Sequence, residues 1–164
     1  PVATDLRILV TSMHMSTDLE RMGDLARHVA KVARLRMPES AVPPELRASI
    51  VQMGQVAAMI VAKCGSIIAS KDVEAAARLE QDDDEMDDLH RRLFASLLDE
   101  DRPWSKSTVV DLTLVGRYYE RYADHAVSIA RRVIYLVTGM YDGGVDHEDE
   151  EDADAIARIE RGDV

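Results

Sequence analysis

Sulfur that could cross-link, aromatic rings, positive charge and long hydrophobic runs are all scarce in this sequence, and each scarcity excludes something. The single cysteine, Cys64, cannot close an internal disulfide, which fits a reducing compartment and points to the cytoplasm. Aromatic residues make up 4% of the chain, with one Trp and one Phe, so the 46% apolar content rests on Ala, Val, Leu and Met, which suit closely packed helices. Lys and Arg number 20 against 31 acids, giving a net charge of -11 that repels phosphate backbones and anionic headgroups, so no nucleic-acid partner is expected. The longest apolar stretch, Val56 to Ala69, contains Lys63 and falls short of the roughly 20 residues a spanning helix needs, so no direct membrane insertion is expected. Nothing near Pro1 resembles a secretion signal, and the start without Met reads as a cut.

What is present is helical periodicity. From about Thr4 to Met37 there is no proline, and Met15, Leu19, Met22, Ala26, Val29 and Ala33 recur in steps of four and three, which predicts one long helix. Pro38, Pro43 and Pro44 interrupt it, leaving 38–44 as a linker. A second helix is expected from about Glu45 to Ser70. A third, capped by Asp72, runs to about Glu100 with Leu79, Met86, Leu89, Leu93 and Leu97 as its stripe. A fourth begins near Ser107 and ends at Gly139 or at Gly143-Gly144. Residues 146–152 hold six acids and His147, so 142–164 is expected to be a disordered acidic tail, with one or two frayed turns over Ala153 to Ile159.

The first and fourth helices match at an offset of 100, with identities at Val10/Val110, Glu20/Glu120, Arg21/Arg121, Asp24/Asp124, Ala26/Ala126 and Ala30/Ala130. Heptad similarity accounts for the apolar matches but not for Glu-Arg-x-x-Asp recurring in register, so two related helical units are implied. Glu20 with Asp24 and Glu120 with Asp124 stand four apart, one above the other on a helix face, where like charges cost about 0.2–0.5 kcal/mol unless neutralised. The core rhythm places Glu120 and Asp124 outward, beside the seam. Asp83 and Asp87 repeat the spacing at the edge of the third helix's stripe, so four carboxylates can converge between the third and fourth helices and hold a divalent cation. For any single pair taken alone a solvated acidic face, neutralised by Arg21 or Arg121, is the better explanation, and only the repetition at matching register brings a cation level with it. His28 continues the Glu20/Asp24 face but reads as a solvent-facing histidine, and His90 follows Asp87 at i+3. The sequence contains no Glu-x-x-His, which argues against the di-iron class, and no Gly-rich phosphate loop, Gly-x-Ser-x-Gly or Cys-x-x-Cys. Cys64, in an apolar run, lacks the charged surroundings of a nucleophile.

Three stretches, Pro1-Val2-Ala3-x-Asp5-Leu6-Arg7, Asp18-Leu19-Glu20-Arg21-Met22-Gly23-Asp24 and Tyr119-Glu120-Arg121-Tyr122-Ala123-Asp124-His125, resemble the PhoU family of bacterial phosphate-signalling proteins over residues 1 to about 141. Gly23 fits the family's Glu-Arg-x-Gly-Asp motif, and Ala123 departs from it conservatively. The resemblance implies an all-α bundle, a tandem three-helix repeat whose first repeat is incomplete. Residues 1–37 would be the last helix of that repeat and 45–141 a complete second bundle. It implies metal ligands at Asp83, Asp87, Glu120 and Asp124, with Glu20 and Asp24 as half of another set. The ions would be divalent or trivalent, with Fe, Zn, Mn or Mg all compatible with carboxylates. It further implies a cytoplasmic negative regulator of the phosphate-starvation response that catalyses nothing. Its partners would be the ATPase subunit of the phosphate ABC importer and a sensor histidine kinase.

A metal-dependent hydrolase with a surface carboxylate cluster and a metal-free helical scaffold remain as alternatives. With its companion helices absent, the stripe Met15, Leu19, Met22, Ala26 and Val29 is expected to be uncovered. A homodimer or higher oligomer through that stripe is therefore expected, since a complete three-helix bundle offers no groove for a fourth helix.

Overall fold

Helix boundaries in this chain are set by a few local devices. The computed structural model describes residues 2–140, and the regular elements among them are all helical: α1 (Val2–Leu35), a 3-10 turn (Pro44–Leu46), α2 (Arg47–Ser70), α3 (Val73–Leu97) and α4 (Lys106–Thr138). The all-α expectation is met, and the segment 142–164 lies outside the described residues. At the end of α2, Lys71 adopts the left-handed conformation (φ 56) and its N–H donates to the Ile67 carbonyl at 2.8 Å. Asp72 then caps α3 by accepting from the Ala75 N–H at 2.9 Å. Ser105 caps α4 by accepting from the Thr108 N–H at 3.1 Å, and Gly139 closes it with φ 75, a conformation glycine adopts without steric cost. Between α3 and α4 the Trp104 indole N–H donates to the Ser96 carbonyl at 2.8 Å, which holds the connection against the end of α3.

Helices α2, α3 and α4 pack on one another around Met53, Ile60, Leu79, Met86, Leu93, Leu112, Ile129 and Val133, all fully buried. Helix α4 is the centre of the molecule. Its buried residues, including Val115, Ala123, Ala126, Val127 and Ala130, are spread too widely round the helix for contact with two neighbours alone, and α1 covers the remaining side. The two run antiparallel. Arg36 pairs with Asp111 at 2.5 Å near one end, and Arg7 lies over the Tyr135 ring at 5.9 Å near the other. In the middle, Asp18 meets Ser128 and His28 stacks on Tyr118. Shifting each residue of those two contacts by 100 exchanges Asp18 with Tyr118 and His28 with Ser128, so an approximate two-fold relates α1 to α4 near Gly23 and Ala123.

Two expectations change here. The stripe expected to be uncovered is covered in part by α4: Met22 is buried and Met15 and Val29 are half-buried, whereas Leu19 remains 46% exposed and Ala26 is exposed too. The expected lack of a groove fails because α4 carries apolar residues on the side that α2 and α3 leave open. The apolar face that α1 does expose is Val2, Leu6, Leu9 and Met13, in steps of four, three and four. Pro44–Ser70 also turns out long and apolar enough, with mean hydropathy 1.4, to cross a membrane by length and composition. Six of its residues, Met53, Val56, Ala57, Ile60, Cys64 and Ile67, face the core, and 33% of the apolar window is buried.

Candidate functional site

The carboxylates of interest lie where α3 and α4 run side by side. Asp83 falls four residues after Leu79 and three before Met86, both fully buried, so it occupies a core position of α3. Glu120 does the same on α4, four after Gly116 and three before Ala123. Glu120 is therefore not outward-facing as the core rhythm suggested; its side chain is only 12% exposed, because α4 is enclosed on three sides. Two other members of the acidic run are paired at the surface: Lys63 holds Asp82 at 2.7 Å and Arg91 holds Asp88 at 2.7 Å. Asp83 is different, for its Oδ1 is buried and receives no hydrogen bond.

Burial first, and then repulsion from Asp124, Asp87, Glu120 and Asp84, push the Asp83 carboxyl up to about 7. Glu120 is likewise pushed up to about 7: burial dominates, Arg117 pulls it back with hydrogen bonds of 2.6 and 2.7 Å, and Asp124 and Asp87 repel it. The four residues therefore share one electrostatic neighbourhood. Among the described residues, however, no three His, Cys, Asp or Glu side chains stand close enough together to hold an ion. The donor set still suits a hard or borderline cation: all four groups are carboxylates, and the orphaned Asp83 oxygen is an acceptor awaiting positive charge. Glu20 and Asp24 do not join them. Glu20 is exposed on α1, Asp24 pairs with Arg27 at 3.3 Å, and neither contributes to the shifts at Asp83 or Glu120.

A second polar cluster, which sequence reasoning missed, lies between α1 and α4. Asp18, 9% exposed, has its Oδ1 at 3.1 Å from His125 Nδ1, while its Oδ2 accepts from Ser128 Oγ at 3.3 Å and Arg132 Nε at 3.1 Å. Burial alone would raise the Asp18 carboxyl, but the hydrogen bonds and charges of His125 and Arg132 outweigh it and hold the group below its ordinary value. Ser128 bonds to the carboxylate, so the three side chains do not line up as nucleophile, base and orienting acid. Cys64 is chemically quiet as well: its thiol, 1% exposed and 3.8 Å from the Ala126 carbonyl, is pushed up to about 11 by burial and then by Asp18.

Fold and site together define a helical bundle of two related units with a half-buried acidic face along its central helix. The sequence profile of the PhoU domain matches residues 1–33 and 50–133. The chain belongs to the PhoU family. It is 47% identical over 141 residues to the Mycobacterium tuberculosis phosphate-specific transport system accessory protein PhoU homolog 2, covering 86% of this chain and 66% of that protein. To PhoU homolog 1 of Mycobacterium leprae the identity is 45%, covering 86% and 64%. The chain thus spans a little under two thirds of the length of such relatives. Among solved structures, the phosphate transport system regulatory protein PhoU from Streptococcus pneumoniae superposes with a TM-score of 0.73 at 28% identity, over 84% of this chain and 65% of that one. PhoU from Pseudomonas aeruginosa gives 0.71 at 30% identity, over 85% and 68%.

Proposed function

We propose that this chain acts in phosphate homeostasis as a cytoplasmic negative regulator of the phosphate-starvation response. It would be an adaptor between the ATPase subunit of the phosphate ABC importer and a sensor histidine kinase, working as a homo-oligomer and without catalysis. The observation that carries this reading is the similarity over 141 residues to proteins named as phosphate-specific transport accessory proteins. A cation at Asp83, Asp87, Glu120 and Asp124 is part of the proposal, supported by the buried, unpartnered Asp83 oxygen and the repulsion at Asp83 and Glu120. When bound, it would supply the positive charge that lets these groups ionise together. Glu20 and Asp24 would offer half of a second set.

The test is capture of partners from phosphate-replete bacterial lysate. Recovery of the importer ATPase and the kinase is expected, and their absence from a capture that retains the folded protein refutes the adaptor reading. Metal analysis of protein purified without chelator is expected to find Fe, Zn, Mn or Mg, lost when the four carboxylates on α3 and α4 become Ala. A scaffold without metal would give equal content in both. Turnover of phosphoesters by the metal-loaded protein would favour a hydrolase instead.

A further inference from the structure

The acidic face carries a cation of its own. Arg117 stands one turn before Glu120 on α4, and its Nη1 donates to both oxygens of that carboxylate, at 2.6 and 2.7 Å. A guanidinium keeps its charge throughout the pH range of a folded protein, so it can leave Glu120 only by moving, never by giving up a proton. The packing shows where it can go. Helix α3 closes on α4 at the preceding residue, Gly116, where a Cβ would stand 3.0 Å from Leu93 and 3.1 Å from His90, so the two helices leave no gap there. The Arg117 side chain is 34% exposed against 12% for Glu120. The long arginine stem therefore has a way out to water, while the short carboxylate stays between the helices.

The guanidinium stands where positive charge is wanted. Asp124 and Asp87 both repel Glu120, and Arg117 offsets them there. With both oxygens of Glu120 engaged by Arg117, that carboxylate has its best acceptor directions already in use. We propose that Arg117 is a resident counter-ion that guards the acidic face: a divalent cation gains Glu120 only when the Arg117 side chain swings out to solvent. Occupancy by a cation is thereby set against the arginine, and the bound state presents a freed guanidinium on the surface of α4. This rests on the cation reading of the same face given above and adds what regulates it. It also separates the two motifs. An offset of 100 puts Thr17 where Arg117 stands, so the motif of α1 lacks a base at the guarding position.

Titration of the full chain with Mn²⁺, with the free ion followed by its electron paramagnetic resonance signal, tests this. Arg117→Gln is expected to bind Mn²⁺ about tenfold more tightly than the original, because the competing charge-assisted hydrogen bonds are gone. Arg91→Gln removes the same charge one turn from Asp87 but releases only the surface residue Asp88, so it measures the effect of charge alone, expected within about twofold of the original. Binding by Arg117→Gln no tighter than by Arg91→Gln overturns the guard and leaves the cation site standing. Failure of all three chains to bind Mn²⁺ overturns the cation reading and the guard with it. The original chain supplies a second readout that needs no variant. Phenylglyoxal reacts faster with a guanidinium in water than with one held by a carboxylate. Its rate at Arg117, read by peptide mass spectrometry, is expected to rise severalfold at saturating Mn²⁺, while the rate at Arg78, paired with Glu74 at the surface, stays constant. A rate at Arg117 that saturating Mn²⁺ does not move overturns the proposal as well.

Discussion

Two carboxyls at core positions give the acidic face its character. Asp83 and Glu120, both pushed up to about 7, keep protons in the folded state that the unfolded chain releases near pH 4. Their contribution is therefore fully present below the unfolded value and is lost as pH rises through 7. Asp83→Asn removes part of that loss. In chelator, the variant is expected to be more stable than the original by about 1–3 kcal/mol at pH 8, with the difference shrinking toward pH 5. Urea unfolding at both pH values checks this, and a gap that does not change with pH refutes it. Asp18 has the opposite sign: held below its ordinary value, it stabilises above the unfolded pKa, and that contribution is lost as pH falls through the folded one.

The helices themselves were legible wherever a residue with strong backbone preference marks an end. Pro38 and Pro44, Asp72 as a cap and Gly139 as a stop bound the observed elements to within a few residues of expectation. What was ambiguous is which of two adjacent rhythms on α1 is buried. Steps of three and four run through Met15, Leu19, Met22, Ala26 and Val29, but equally through Met15, Asp18, Met22, Leu25, Val29 and Val32. The first is more apolar, yet the second faces α4, because Asp18 finds Arg132 and His125 there. Partners a hundred residues away leave no trace in local periodicity, which is also why Glu120 looked outward-facing. The carboxylate spacing was readable; its burial was not. One end goes against its residue's preference: Lys71 holds φ 56, where a side chain is strained. Lys71→Gly is expected to stabilise the chain by about 0.5–1 kcal/mol, read as a higher urea midpoint at unchanged m-value.

At the scale of the molecule, packing radiates from α4, and α1 is attached through that helix, whereas α2 and α3 also pack on each other. Hydrogen exchange is expected to find residues 10–33 less protected than 115–136. Asp18→Ala should widen the difference by about 1–3 kcal/mol in opening free energy of α1, because it strands Arg132 and His125 without their acceptor. Equal protection of the two helices, or a uniform loss throughout, contradicts this hierarchy.

The ties between α1 and α4 also impose an order in time. Asp18 and Arg132 are 114 residues apart in the chain. At about 5–20 residues per second of synthesis, α1 leaves the ribosome roughly 5–20 s before the surface that receives it exists. Helices α2, α3 and α4 have close neighbours to collapse against, so α1 is made before these three and docks on α4 after they have packed. In that interval Met22 and Val32 lack the α4 surface that buries them, and the nascent chain is then more vulnerable to chaperones, proteases and other copies of itself than after α1 has docked.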